Sequence, residues 1–423
     1  MMKKKTFFRR AAAVAVTAMV FCVMSVSVSA VGIGNGTATS NTSGDAAEVT
    51  IPKGLTFVNA DSVETFGPDI KFVYTVAPVS SVTGQETVEK DNVTVTVKPG
   101  AVNGVLFKGE PANTDSTELL FGKTDKFTTS SEGVEAQKNL TLVVDVNTIG
   151  AGQPGIYRYV ITDITTKEAL FNAGIVRPAN YDATRYLDVY VKRTAGGELE
   201  VSGYVLREEQ ESENKDNGFV KDDTITTVSS AKNAVDTYTS YNVKITKVVA
   251  GEMGDTAHEF PFTASVSNKG IPYTAGTAVT EDSSLSFTLK NGESYELKGL
   301  SPKAKVSYTE NNDTGESYTV KVEGRAGASA DYAELDCGVN ENNYTLAEAA
   351  VTTYDSVNSD TSVSADASLT NRADVRYTNT LAAVSPTGIV LRFAPFILIA
   401  VFGVVFFIAS RKTGEKKKDA DII

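Results

Sequence analysis

A chain of 423 residues, 41% hydrophobic and 22% charged, is globular rather than disordered and long enough for two or three cored domains. Setting aside the first 30 residues, with five basic side chains, and the segment after Thr387, with six basic and three acidic, leaves 29 Lys plus Arg against 49 Asp plus Glu. A body this acidic excludes nucleic acid and anionic lipid as partners. A single histidine, His258, and a single cysteine beyond the first 30 residues, Cys337, argue against Ser-His triads, zinc centres and internal disulfides.

The opening MMKKKTFFRRAAAVAVTAMVFCVMSVSVSA has a basic head, an apolar middle and a small-residue end, Val28-Ser29-Ala30. It reads as a secretory signal over 1–30. Residues 31–48 are small and polar, a loose leader. From Val49 the texture changes to short alternating runs: VTVTV (93–97), LTLVVDV (140–146), YRYVITD (157–163) and YLDVYV (186–191), strands separated by turn residues. The charged stretch LREEQESENKDNGFVKDD (206–223) reads as a solvated loop. A boundary falls near 237–243, giving a first domain over 49–240 and a second over 241–381. In the second, FPFTASV (260–266) and YTVKVEG (318–324) are strands, and LSFTLKNGESYELKGL (285–300) signals a hairpin about its Asn-Gly. No long amphipathic helix is legible between the two ends, so an all-β chain of two tandem β-sandwiches is the economical architecture. In the final segment, 382–423, Phe393 to Ala409 is apolar without interruption and just long enough to span a membrane. Arg411, Lys412 and Lys416 to Lys418 follow it and stay cytoplasmic, so the body faces outward.

Strand parity singles out a set of inward polar residues. In VKITKVV the row Val243, Ile245, Lys247, Val249 carries a lysine among branched aliphatics. In AKVSYTE the row Val306, Tyr308, Glu310 ends on an acid, and in DVRYTNT the row Val375, Tyr377, Asn379 ends on an amide. The first half repeats the order: Val49, Ile51, Lys53, Leu55, Phe57, where Pro52 and Gly54 threaten the strand; then Tyr157, Tyr159, Ile161, Asp163; then Ala234, Asp236, Tyr238. A lone inward lysine ordinarily snorkels and a lone inward acid is ordinarily salt bridged. Repetition at matching ends of two domains favours clusters instead. Burial lowers the pKa of a lysine and raises that of a carboxylic acid. Lys247 then serves as a neutral amine that attacks the Asn379 carboxamide while Glu310 relays protons, releasing ammonia and joining first strand to last by an isopeptide bond. That is one self-reaction per molecule and not turnover, and it calls for no cofactor or metal.

These residues, in VKITKVVAGEMGDTAHEFPFT (243–263), YTENN (308–312), YTNTLAAVSPTG (377–388), GIYRYVITD (155–163) and YDATRYLDVYV (181–191), resemble the Gram-positive major pilins with isopeptide-linkage domains, typified by the streptococcal T-antigen backbone pilins. The resemblance implies immunoglobulin-like domains of the collagen-adhesin B type, with Lys247, Glu310 and Asn379 forming the intramolecular bond of the second. It also implies Lys53 as the first domain's lysine. There the chain departs from the pattern: Asp163 stands for the usual Glu and Asp236 for the usual Asn. Either a Lys53–Asp236 bond forms with loss of water, or the two are an ion pair.

VSPTG, Val384, Ser385, Pro386, Thr387 and Gly388, followed by the apolar span and basic tail, resembles a sortase sorting signal. It implies cleavage between Thr387 and Gly388, with Thr387 held as a thioester until an amine resolves it. An amine from another copy gives a covalent fibre on the cell surface, and one from peptidoglycan gives wall anchoring after transient residence in the membrane. Lys232 in VSSAKNAVDTY is the candidate linkage lysine and Lys221 in GFVKDD the runner-up. The implied partners are a pilus-type sortase, other copies of the chain, accessory pilins and peptidoglycan, with a host receptor left open. A wall-anchored adhesin or accessory pilin that does not polymerise is the alternative, and a glycosidase using paired carboxylates is a third reading.

Overall fold

The computed structural model describes residues 39–41, 47–82, 87–90, 93–179, 181–207, 219–221, 224–225, 235–312, 317–325, 330–350, 353–354, 365–366, 373–383 and 396–408. Strand dominates, with short helices at Val146–Ile149 and Lys167–Ala173 and a further one over 396–408.

Most of the described strands between residues 39 and 239 build two sheets, beside a two-stranded sheet of Glu64–Phe66 and Lys126–Thr128. In one, Ile175–Val176, Thr237–Thr239, Ala47–Val58, Val134–Val144 and Val105–Phe107 lie side by side; in the other, Leu199–Arg207, Thr184–Arg193, Gly155–Asp163, Ile70–Pro78 and Ser116–Phe121 do. One hydrophobic cluster draws on both, including Ile51, Leu55, Phe57 and Leu142 from the first sheet and Phe72, Tyr74, Tyr159 and Leu187 from the second. Each such side chain contributes roughly 1.5–3 kcal/mol on burial, and a one-residue slip would turn a whole row to solvent, which is why parity is kept so strictly. Pro52 and Gly54 leave Ala47–Val58 unbroken. On one side this strand pairs continuously with Val134–Val144. On the other its pairings cover only residues 48–50 and 56–58, so Pro52 falls in the gap, where no ladder donor is required.

Most of the described strands between 241 and 380 build a second pair of sheets, beside a two-stranded sheet of Thr353–Tyr354 and Ala365–Asp366. The larger is ordered Ala278–Thr280, Tyr273–Ala275, Ser294–Leu300, Tyr241–Ala250, Asp374–Thr380, Thr319–Arg325, Ala333–Glu334, and the smaller Ser283–Leu289, Phe260–Ser267, Lys305–Asn311, Asn343–Ala350, Gly338–Asn340. Their inner faces share a core that includes Ile245, Phe260, Phe262, Leu297, Tyr308, Val375 and Tyr377. The hairpin expected at 285–300 does not form. Ser283–Leu289 pairs with Phe260–Ser267 in one sheet, while Ser294–Leu300 pairs with Tyr241–Ala250 and Tyr273–Ala275 in the other. The reason is that the Asn-Gly turn bonds to a third strand: Gly292 N–H donates to Lys247 O at 2.8 Å, Lys247 N–H to Glu293 O at 3.0 Å, and Val249 N–H to Asn291 Oδ1 at 2.9 Å.

Between the two groups of sheets the chain passes through Ser240, whose N–H donates to Val58 O at 2.9 Å. Asn59 Nδ2 donates to Ser240 Oγ at 2.7 Å, and Asn242 Nδ2 donates to Asn59 Oδ1 and Asp61 Oδ2, each at 2.8 Å. The expected loop at 206–223 is bounded by strands Leu199–Arg207 and Phe219–Lys221, with 208–218 outside the described residues. The helix over 396–408 falls within the expected apolar span, but no described helix is long and apolar enough to cross a membrane. The remainder of that span, the signal over 1–30, the sorting residues Val384 to Gly388 and Lys232 all lie outside the described residues.

Candidate crosslink sites

In Tyr241–Ala250 the residues at odd positions are buried and those at even positions only partly so, which sends Lys247 into the core. The closing strand Asp374–Thr380 runs parallel beside it, pairing Tyr377 with Lys247 and Asn379 with Val249. Lys247 and Asn379 therefore share one inward face on neighbouring strands. Glu310 arrives from the opposite sheet, on Lys305–Asn311, beside Phe262. All three side chains are fully buried, and the Asn291–Gly292 turn pins the backbone of the lysine strand at the level of Lys247.

The Lys247 Nζ donates to Glu310 Oε1 at 2.7 Å, and Asn379 Nδ2 donates to the same oxygen at 2.6 Å and to Asn312 Oδ1 at 3.2 Å. The Phe260 ring centre lies 4.0 Å from Nζ and walls it from water. Burial lowers the Lys247 pKa to about 8, against the opposing pull of Glu310, and burial pushes Glu310 above the usual carboxylate range, against the pull of Lys247. Both shifts favour moving one proton from amine to acid, which leaves an uncharged nucleophile beside a carboxamide. Glu310 Oε2 and Asn379 Oδ1 are buried without a hydrogen-bond partner. Such atoms cost about 1–3 kcal/mol each.

The other set assembles differently. Lys53, from Ala47–Val58, and Asp236, next to Thr237–Thr239, are fully buried, and Lys53 Nζ lies 2.7 Å from Asp236 Oδ2. Asp163, at the end of Gly155–Asp163, is also buried, but its carboxylate is engaged by Arg177 Nη2 at 2.8 Å, Tyr181 Oη at 2.7 Å and the Thr165 N–H at 2.9 Å. Arg177 grips Asp236 as well, through Nε to Oδ1 at 2.8 Å and Nη2 to Oδ2 at 2.7 Å. Burial pushes Asp236 up, yet Lys53 and Arg177 together outweigh it and hold the carboxyl below its ordinary value. Burial likewise works against the Arg177 charge, and its hydrogen bonds to Asp236 together with the charge interactions of Asp236, Tyr181 and Asp163 more than offset it and raise its pKa. In this geometry Lys53 and Asp236 are in ion-pair contact.

Parity located all six clustered residues but neither Arg177 nor Tyr181. Both lie between Ile175–Val176 and Thr184–Arg193, where no strand alternation exists to report direction. The signal available was compositional: an arginine and a tyrosine in RPANY, in a chain already read as carrying the inward acids Asp163 and Asp236. Lys221 ends the described strand Phe219–Lys221, which pairs with Leu199–Arg207.

Residues 241–380 match a family described as Domain of unknown function (DUF7601). A curated protein named Pilin, from Streptococcus pyogenes serotype M1, is 23% identical over 396 residues, covering 89% of this chain and 92% of that protein. Among solved structures, the major pilin of Streptococcus pyogenes matches 79% of this chain and 99% of its own at 16% identity and a TM-score of 0.43. The T-13 major pilin of the same species matches 82% and 98%, at 16% identity and a TM-score of 0.40. Over most of its length the chain is thus similar in sequence to a streptococcal protein named Pilin.

Proposed function

We propose that this chain is the structural subunit of a covalently polymerised pilus on a Gram-positive cell surface. On this reading it comprises two immunoglobulin-like domains, over 49–240 and 241–381, of which the second is welded by a Lys247–Asn379 isopeptide bond. The observation that carries the reading is the fully buried Lys247–Glu310–Asn379 cluster joining the first and last strands of the second domain, in a relative of streptococcal pilin. In the reaction a proton passes from Lys247 Nζ to Glu310, and the amine attacks Asn379 Cγ. Glu310 then gives that proton to Nδ2 and takes up the second amine proton from Nζ, ending protonated. The Nζ–Cγ bond forms, the Cγ–Nδ2 bond breaks and ammonia leaves. Folding supplies the proximity.

The intact mass of the wild-type chain is expected to fall short of its sequence by one ammonia, and Glu310→Ala is expected to recover the full mass. A wild-type mass with no deficit removes the proposal.

Export by the segment 1–30, cleavage between Thr387 and Gly388 by a sortase, and transfer to Lys232 of another copy or to peptidoglycan complete the assembly. Co-expression with a pilus-type sortase should give a ladder of SDS-resistant multimers that Lys232→Ala abolishes. Retention of the ladder in Lys232→Ala, with loss in Lys221→Ala, moves the linkage to Lys221. A single wall-linked band instead supports the adhesin or accessory-pilin reading.

A further inference from the structure

The two clusters differ by one charge, and one residue compensates for it. At the second site the charges of Lys247 and Glu310 cancel, and Asn379 adds none. At the first, an aspartate in the amide's place brings an extra negative charge, and Arg177 supplies the matching positive one: Lys53 and Arg177 face Asp163 and Asp236. The arginine has two effects on amide formation. It occupies both oxygens of Asp236 at 2.7–2.8 Å with a group that never gives up its proton, which fixes the carboxyl as an anion and so as a poor electrophile. It also draws the Asp163 carboxylate onto itself.

The remaining machinery for a bond is nevertheless in place. Lys53 Nζ donates to Tyr181 Oη at 3.1 Å, and Tyr181 Oη donates to Asp163 Oδ2 at 2.7 Å, so the tyrosine hydroxyl bridges the distance that the short aspartate leaves. Phe72 walls the amine at 4.5 Å from its ring centre. The Arg177 side chain reaches solvent, at 19% exposure, whereas Lys53, Asp163 and Asp236 are at 0%.

We propose that Arg177 is a lock: it holds a complete lysine–aspartate crosslinking site as a reversible ion cluster, and without it Lys53 and Asp236 join through Tyr181 and Asp163. The inference rests on the crosslinking reading of the second site. Removing the guanidinium leaves two carboxylates with one ammonium in a buried space, so one carboxyl takes up a proton from solvent. With Asp236 as the neutral acid, Lys53 passes a proton by way of Tyr181 to Asp163, and Nζ attacks Asp236 Cγ. The Cγ–OH bond breaks, and the hydroxyl leaves as water with the second amine proton. Asp163 ends protonated, so atoms and charge balance.

The test is tandem mass spectrometry of digests of the full-length chain in three forms: wild type, Arg177→Met, which keeps the length of the apolar stem, and Arg177→Met with Asp236→Asn. The double variant carries one cation and one anion, like the second site, and decides the question if the single variant does not fold. The wild type is expected to show the 247–379 link alone. Arg177→Met should add a link between the peptides bearing Lys53 and Asp236 with loss of one water, and the double variant should add the same link with loss of ammonia. A 53–236 link already present in the wild type overturns the inference. So does its absence from the folded variants while the 247–379 link is intact in the same digest. If the 247–379 link is missing everywhere but a 53–236 link appears on removing Arg177, the lock stands and the proposed function fails.

Discussion

Glu310→Gln is expected to lower the melting temperature of residues 241–380 by roughly 15–25 °C, as far as Lys247→Ala or Asn379→Ala does. The glutamine keeps the volume and polarity of the acid and touches neither end of the bond; what it lacks is the capacity to relay a proton. Without the relay the bond does not form, and the unfolded chain regains the freedom of the loop 248–378. For a loop of that length the chain-entropy model of a crosslink gives about 5 kcal/mol, comparable to the whole stability of many domains. The unlinked cluster of the variant does not make up the difference, because Lys247 is left buried without its carboxylate partner. Calorimetry of the full-length chain distinguishes the possibilities, because the Lys53–Asp236 unit is untouched by these variants and provides an internal reference. Wild-type melting in Glu310→Gln would show that the stability of this unit does not come from a bond.

What the sequence disclosed of these sites follows from the period of the strand. Alternation at two residues put Lys247, Glu310 and Asn379, and Lys53, Asp163 and Asp236, on inward rows, and each is buried. It also marked most of the longer strands, because each needs only its own neighbours to define a face. What alternation does not carry is which strands pair. The Asn-Gly at 291–292 has the local chemistry of a two-residue hairpin turn, yet its backbone groups are taken up by Lys247, and the flanking strands separate into different sheets. That choice depends on a strand more than forty positions away and leaves no mark within the turn. Arg177 escaped for a related reason: a side chain in an irregular segment has no row, and its partners Asp163 and Asp236 lie on elements that only the folded chain brings together.

The position of the bond also bears on how the chain carries force. If Lys232 of each copy accepts Thr387 of another, tension in a fibre crosses every subunit from 232 to 387. It enters the second pair of sheets at Tyr241 and leaves beyond Thr380, on strands that are parallel neighbours and are therefore loaded in shear. A Lys247–Asn379 bond lies directly between those two points, so tension passes through the bond and never reaches 248–378. Most of the Lys53–Asp236 unit lies before residue 232, beside the load, where a reversible ion cluster suffices; the short segment with Asp236 and the strand Thr237–Thr239 is in line. Single subunits pulled through residues 232 and 387 should thus release about 450 Å less chain in the wild type than in Lys247→Ala, the extended length of 248–378. Extension of the wild-type unit by that full length at modest force would mean that the bond is absent or that force takes another route through the molecule.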